Sequence, residues 1–288
     1  MDLRAILMGL GFALMWSSAF SSARIIVADA PPITALAIRF LISGLLAVLI
    51  AVRMGQSWRL TPAQWRATAI FGFCQNALYL GLNFVAMQTV EASLAAIIAS
   101  SLPLLVALAS WLALGERIGT LGLAGLVAGM AGVALIMGTR LTGGADIQGV
   151  TLAAAGAVAL TFATLAVRGA TSGGNLLMIV GLQMLVGALA LGLWALAFES
   201  WQVRWSWQLI AAFTYTTLVP GLLATWVWFA LVGRIGAVRA ATFHFLNPFL
   251  GVAIAALVLG EALRPLDLIG AVVIAGGILA VQLSRRPG

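Results

Sequence analysis

Four polar side chains lie within one apolar stretch of this 288-residue chain and are spaced for a single helix. Gln75, Asn76, Tyr79 and Asn83 recur at helical intervals, and the last three fall on one stripe. Amide and phenol groups exchange hydrogen bonds with polar molecules. Two interpretations are open. The stripe lines a cavity that holds a substrate, or it joins neighbouring helices through hydrogen bonds worth about 0.6 kcal/mol each.

Two prolines interrupt other apolar stretches, and polar side chains precede both of them. Pro103 and Pro248 each remove one backbone hydrogen bond and free a carbonyl group, so both predict a kink or hinge. Freed carbonyls are suited to the ammonium of a substrate, and nearby amide donors are suited to its carboxylate. The side chains that precede the prolines are Ser100 and Ser101 in the first case, and His244 and Asn247 in the second.

His244 is the single histidine of the chain. An unperturbed histidine changes its charge near neutral pH, which makes His244 a candidate for proton handling. A histidine inside a membrane also serves as a hydrogen-bonding group between packed helices. Both roles fit the sequence.

Further candidate contacts lie at similar depths in other apolar stretches, where a cavity lining and helix packing explain them equally well. These are Trp16 and Ser17 in the first stretch, and Thr161 and Thr164 in the sixth. Aromatic walls for the same cavity are expected from Trp16, Phe20, Tyr79 and Trp228.

The composition places all of these residues in a membrane protein. Hydrophobic residues make up 63% of the chain, charged residues only 8%, and the mean hydropathy is +1.13. Soluble domains are about one-quarter charged. The 15 basic residues are all arginines and are scattered between apolar runs, which suits a membrane surface rather than a nucleic-acid site. One cysteine, Cys74, allows no disulfide and no thiolate metal site, and nothing else in the sequence predicts a metal or cofactor.

Ten stretches are long enough to cross a hydrocarbon core about 30 Å thick as helices. They are Ala5–Ala23, Ile33–Val52, Trp65–Ala86, Val90–Leu114, Gly119–Gly138, Gly149–Val167, Leu176–Phe198, Leu209–Val232, Val238–Leu259 and Leu266–Leu283. The first is interpreted as an uncleaved span rather than a signal peptide, since nine further spans follow it.

The arginines predict the orientation of these spans. Ten lie at one set of span ends and four at the other, which puts both termini in the cytoplasm of a bacterial inner membrane. The remaining one, Arg39, lies seven residues into the second span, and we expect its side chain to snorkel to the outer surface.

The chain contains one of its segments twice. Ala92–Gly132 aligns without gaps onto Ala237–Gly277 at a shift of 145 residues, with 14 of 41 positions identical. Chance in so biased a composition gives about four. Because each half holds five spans, an odd number, the halves must be antiparallel. The sequence therefore predicts an all-α membrane protein of ten transmembrane helices arranged as two inverted five-helix repeats, residues 1–141 and 146–288.

Several motifs in and between these spans are typical of one protein family. Trp16-Ser17-Ser18-Ala19-Phe20 lies in the first span, Trp226–Leu231 in the eighth, and each half carries a proline followed by Gly-Glu, at Gly115-Glu116 and Gly260-Glu261. In these features the chain resembles the drug/metabolite transporter superfamily, specifically its EamA-type exporters, and among them the bacterial amino-acid exporters. The resemblance implies export of small metabolites through a central cavity.

Missing charges narrow the function. No Asp or Glu lies in the middle of a span, which argues against a proton-coupled pump for cationic drugs. A neutral or zwitterionic amino acid, including bulky or aromatic ones, fits best, carried by alternating access between the repeats. The alternatives are a different neutral metabolite, or a membrane sensor or assembly scaffold that transports nothing. No catalytic or nucleotide-binding motif is present, and the expected partners are the substrate and the lipid bilayer, without nucleic acid or an obligatory protein.

Overall fold

A computed structural model describes residues 3–115, 118–166, 173–235, 240 and 242–284. Within these ranges the chain is helical and contains no β-strand. Nine of the described helices are long and apolar enough to cross a membrane, and Phe243–Leu259 is a shorter apolar helix. The predicted all-α class with ten spans is thereby confirmed. Several predicted features lie outside the described residues: the turn residue Glu116, the end of the sixth span at Val167, the start of the second repeat copy at Ala237 and the start of the ninth span at Val238.

Ten spans, labelled α1 to α10, follow one another in the order that the hydropathy predicts. They are α1 (Leu3–Asp29), α2 (Pro32–Arg53), α3 (Pro62–Ala86), α4 (Ala92–Ser100 and Leu102–Leu114), α5 (Thr120–Thr142), α6 (Ile147–Ala166), α7 (Leu176–Phe198), α8 (Trp207–Ile235), α9 (Thr242–Leu246 and Asn247–Leu259) and α10 (Pro265–Ser284). The helix α1 runs past its predicted end at Ala23 because its polar residues find partners. Ser22 bonds the Ala19 carbonyl at 3.1 Å, and Arg24 donates to the Met87 carbonyl.

Widened turns interrupt α3 and α8 at matching positions. The π-helical segments are Gly72–Tyr79 and Thr217–Leu223, whose first residues are 145 positions apart, as are the first residues of the two spans. In α8 the segment contains Pro220, which lacks the N–H that a regular helix needs. In α3 it begins at Gly72, where a Cβ would lie 2.6 Å from the Gln183 carbonyl oxygen of α7. Such π turns often occur at functional sites.

Breaks in α4 and α9 also repeat, and they refine the predicted kinks. Each span stops and restarts, at Leu102 in α4 and at Asn247 in α9. Pro103 and Pro248 each occupy the first turn of the restarted helix, where a missing N–H costs nothing. Both restarted segments end at a glycine with positive φ, Gly115 (66°) and Gly260 (69°). The prolines therefore begin a second helix rather than bend a continuous one.

The two halves contact each other through two glycine-rich helix pairs. In the pair α2–α7, a Cβ at Gly44 would lie 3.0 Å from the Gly181 carbonyl oxygen. In the pair α5–α10, a Cβ at Gly277 would lie 2.5 Å from the Gly125 carbonyl oxygen. Membrane helices associate through small residues that allow such close backbone approach. These two interfaces hold the halves together on either side of the molecule.

One end of the bundle, here called the Arg140 face, carries a buried ion network. Arg140, at the end of α5, donates from Nε to Oδ1 of Asp267 in α10 at 3.2 Å. It also bonds the Glu91 carboxylate and, at 3.2 Å, the Ser93 hydroxyl at the start of α4. The side chains of Arg140 and Asp267 are only 2% and 1% exposed. A charge this deeply buried is stable only when paired, so the network joins the two halves at this face.

Carboxylates also cover helix starts at the Arg140 face. Glu261, between α9 and α10, accepts a hydrogen bond from the backbone N–H of Ala92 at 2.7 Å. Glu199, after α7, accepts from Ile33 at 3.0 Å and Thr34 at 2.7 Å, at the start of α2. A carboxylate satisfies the free N–H groups of a helix start and complements its dipole. In both cases the acid comes from the other half.

Arg140→Gln should lower the free energy of unfolding by about 3–5 kcal/mol, because Asp267 would remain buried without a counter-charge. Adding Asp267→Asn should recover part of that loss. As a control, Arg204→Gln removes an ion pair with Asp29 in which the arginine is 79% exposed, and it should cost less than about 1 kcal/mol. Denaturant titration in detergent micelles measures the free energy of unfolding of the unmodified chain, the two single variants and the Arg140→Gln/Asp267→Asn double variant. Equal small losses for Arg140→Gln and Arg204→Gln would contradict the structural role of the network.

Candidate functional site

A cavity of about 540 Å³ lies between the two halves. Every span except α5 contributes described residues to its lining. The volume falls in the range of small-molecule sites, and a place between helices of a bundle is a common one for such sites.

Twelve of the residues that the sequence singles out for the cavity line it. They are Trp16, Phe20, Gln75, Asn76, Tyr79, Asn83, Ser100, Pro103, Thr164, Trp228, His244 and Asn247. Four others, Ser17, Ser101, Thr161 and Pro248, are outside the lining. Two of the three hydroxyls among them bond the backbone of their own helix, Ser101 to Ile98 at 2.6 Å and Thr161 to Ala157 at 2.8 Å.

The polar stripe of α3 faces the cavity and also forms hydrogen bonds within the protein. Asn76 donates to the Gln183 carbonyl of α7 at 2.9 Å, and Asn83 donates to the Tyr79 carbonyl at 2.9 Å. Both amides therefore stabilise the helices as well as facing the cavity. Tyr79 differs, since no described residue forms a hydrogen bond with its hydroxyl. That hydroxyl is free to bond a bound molecule.

An aromatic cluster surrounds His244 on one side of the cavity. The ring centroids of Phe12, Trp16 and Trp228 lie 5.4, 5.8 and 5.2 Å from that of the imidazole. Asn247 completes the cluster with its Nδ2 2.8 Å from Nδ1 of His244. Such rings offer a broad apolar surface to a bulky side chain.

Asn247 links His244 to α1. Its Nδ2 lies 2.8 Å from Nδ1 of His244, and its Oδ1 lies 3.5 Å from the Ser17 hydroxyl. An Nδ1 that accepts a hydrogen bond from the amide places the proton of the neutral ring on Nε2. His244 therefore has a packing partner as well as a place in the cavity lining, and both roles that the sequence left open fit the structure.

The expectation that Arg39 snorkels to the surface is wrong. Its side chain is 6% exposed and lines the cavity. The guanidinium lies beside the widened turn of α8, where a Cβ on Gly221 would lie 3.5 Å from Nη2 of Arg39, an ordinary van der Waals distance. This inward direction places the side chain against α8 and the cavity instead of at the surface.

Sequence reasoning also missed polar lining residues on three other spans: Gln183 on α7, Thr225 on α8 and Gln282 on α10. Each is a polar residue within an apolar run, the same signal that identified α3, but each occurs singly. An isolated residue has no stripe that tells which way it faces.

Comparison with known proteins matches both halves to one family. Residues 3–138 and 147–283 each match the EamA-like transporter family. The uncharacterized transporter YvbV of Bacillus subtilis is 28% identical over 276 residues, which cover 95% of this chain and 90% of YvbV. A probable amino-acid metabolite efflux pump of Salmonella typhimurium is 39% identical over 69 residues, 24% of this chain and 23% of the pump.

The fold occurs among solved structures. One crystal structure of a protein 23% identical to this chain superposes with a TM-score of 0.70 over 98% of both chains. At that level of identity the likeness establishes the shared fold.

Tyr79→Phe should weaken binding of a cavity ligand about twofold to tenfold, because one hydrogen bond contributes about 0.5–1.5 kcal/mol. The fold should be unaffected, since the hydroxyl bonds no described residue. Tyr215→Phe is the matched control: the second tyrosine of the chain bonds Ser18 at 2.7 Å and does not line the cavity. Competition against labelled phenylalanine measures affinity, and thermal unfolding checks integrity. Equal affinities for both variants and the unmodified chain would assign Tyr79 to packing.

Proposed function

Because the chain belongs to the EamA-like transporter family, we propose that it exports amino acids, including aromatic and other bulky neutral ones, and similar small metabolites. The observation that carries the proposal is the cavity between the halves, which combines aromatic walls with polar groups. Amino acids present a polar backbone and a variable, often apolar, side chain, so they need both kinds of surface.

Two parts of an amino acid, its side chain and its ammonium group, have counterparts in the lining. The aromatic cluster around His244 suits a bulky side chain. Ala99 and His244, both cavity residues, lie in the last turn of the helical segments that end before the breaks, where carbonyls lack a regular α-helical donor. Exposed helix carbonyls of this kind coordinate cations in other transporters and suit an ammonium group.

Alternating access is the mechanism that the architecture favours. Helix starts and π turns recur at the 145-residue spacing, and five spans per half imply antiparallel halves. Transporters with inverted repeats rock one half against the other around a central site. The arginine distribution places both termini in the cytoplasm of a bacterial inner membrane, with the Arg140 face outside.

The alternative function, a sensor or scaffold that transports nothing, explains fewer features of the structure. Such a protein would use its polar groups between helices, as Asn76 and Asn83 partly do. It would have no use for a cavity of about 540 Å³ between two related halves. The Salmonella protein whose name gives amino-acid metabolite efflux supports amino acids over other neutral metabolites, through a match of 69 residues.

No carboxylate lines the cavity in the part of the chain that the structure describes. Proton-coupled transporters use membrane carboxylates or histidines as relays. Because the described lining holds no carboxylate relay, we expect the substrate to move down its own gradient, without strict coupling to protons.

Proteoliposomes that contain the purified chain should therefore accumulate labelled phenylalanine by counterflow, with a rate that changes less than about twofold when a pH gradient is imposed. His244→Gln keeps a hydrogen-bonding side chain that does not titrate near neutral pH, and it should retain counterflow. Liposomes without protein are the control. Absence of counterflow for every neutral amino acid would overturn the proposed function. Strong gradient dependence that His244→Gln abolishes would establish proton coupling instead.

A further inference from the structure

Arg39 is the single arginine among the described residues that line the cavity, and no described acidic residue lines it. Its Nε is buried without a hydrogen-bond partner, and no ion pair or hydrogen bond joins its guanidinium to any described residue. The guanidinium lies over the ring of its neighbour Phe40, whose centroid lies 5.1 Å from Cζ.

An uncompensated guanidinium at this depth is costly. Burying a charge away from water carries a large penalty unless hydrogen bonds and an opposite charge offset it. Arg140 shows how this chain meets that requirement elsewhere, since it is equally buried but bonds Glu91, Asp267 and Ser93. Arg39 has none of these partners. The partner that it lacks is an anion.

The surroundings hold Arg39 in place toward the cavity. It lies seven residues after Pro32, so about 10 Å into α2 along the helix axis. One turn further on, Ser43 donates to the Thr217 carbonyl at 3.3 Å and fixes α2 against the widened turn of α8. Gly221, in that turn, leaves the space that the guanidinium occupies.

We propose that Arg39 binds the carboxylate of the transported substrate. This proposal rests on the proposed function and specifies the substrates that the cavity accepts. A substrate must carry a carboxylate, whereas its ammonium group is dispensable. Two parallel N–H groups of a guanidinium match the two oxygens of a carboxylate, and both charges are then neutralised inside the cavity. A monocarboxylate without an ammonium balances the cavity charge fully. An amine without a carboxylate adds a second cation beside Arg39.

Three ligands with one phenyl group separate these contributions: phenylalanine, 3-phenylpropanoate, which lacks the ammonium, and 2-phenylethylamine, which lacks the carboxylate. The purified full chain should bind the first two and should bind the amine at least about tenfold more weakly. Arg39→Gln should weaken the binding of the two carboxylates about tenfold to hundredfold, the range for hydrogen bonds to charged groups. The affinity for the amine should stay unchanged. The affinities of Arg39→Lys for the carboxylates should lie between those of the unmodified chain and those of Arg39→Gln, because an ammonium lacks the planar pair of donors of a guanidinium.

Arg53→Gln is the matched control, with the same substitution on the same helix at an exposed position, and its affinities should equal those of the unmodified chain. Thermal unfolding separates binding from structure. Since Arg39→Gln removes a charge without a partner, it should melt at the same temperature as the unmodified chain or higher. A clearly lower melting temperature, or equal losses for all three ligands, would make Arg39 structural and overturn the proposal.

The outcomes also separate this proposal from the proposed function. If Arg39→Gln leaves the counterflow of phenylalanine intact, the proposed export function stands and the assignment of a carboxylate site to Arg39 is wrong. If 3-phenylpropanoate binds in an Arg39-dependent way but no amino acid shows counterflow, the carboxylate site stands and amino acids are not the substrates. Failure of the unmodified chain to bind either carboxylate would overturn the assignment of Arg39.

Discussion

Hydrocarbon solvates neither charges nor free backbone groups, and this constraint explains most of the structure. Arg140 lies deep in the protein and forms ion pairs with Glu91 and Asp267. Helix starts at the same face bond carboxylates from the opposite half, as Glu261 does at Ala92. Each charge thereby joins separate helices, because its partner lies on a different span. Arg39 departs from this pattern, and it does so in the cavity, where a bound molecule can complete it.

Irregular backbone is tolerated at membrane depth only where protein or a cavity surrounds it. The π turns of α3 and α8 and the breaks in α4 and α9 all lie along the cavity, whereas α2 pairs with α7, and α5 with α10, through glycine contacts. Closely packed helix pairs that join the two halves thus flank the irregular backbone along the cavity.

Periodicity and composition predicted the fold, since an apolar run about 20 residues long has few alternatives in a membrane. They also identified the α3 stripe, where several polar residues share one face. The direction of the Arg39 side chain was misjudged because it depends on packing against α8, which is far away in sequence. The pairing of Arg140 with Asp267 was missed for the same reason. Ser101 and Thr161 bond their own helix, which hydropathy cannot reveal.

The central claim, a cavity exposed alternately at two faces, is open to direct measurement by double electron–electron resonance in a background without Cys74. One pair of spin labels belongs on the Arg140 face, at Gln88 and Leu263, and another on the opposite face, at Arg59 and Gly233, all exposed positions. The account predicts that adding phenylalanine shifts the two distance distributions in opposite directions. Distances that stay constant, or that lengthen together at both faces, would contradict it.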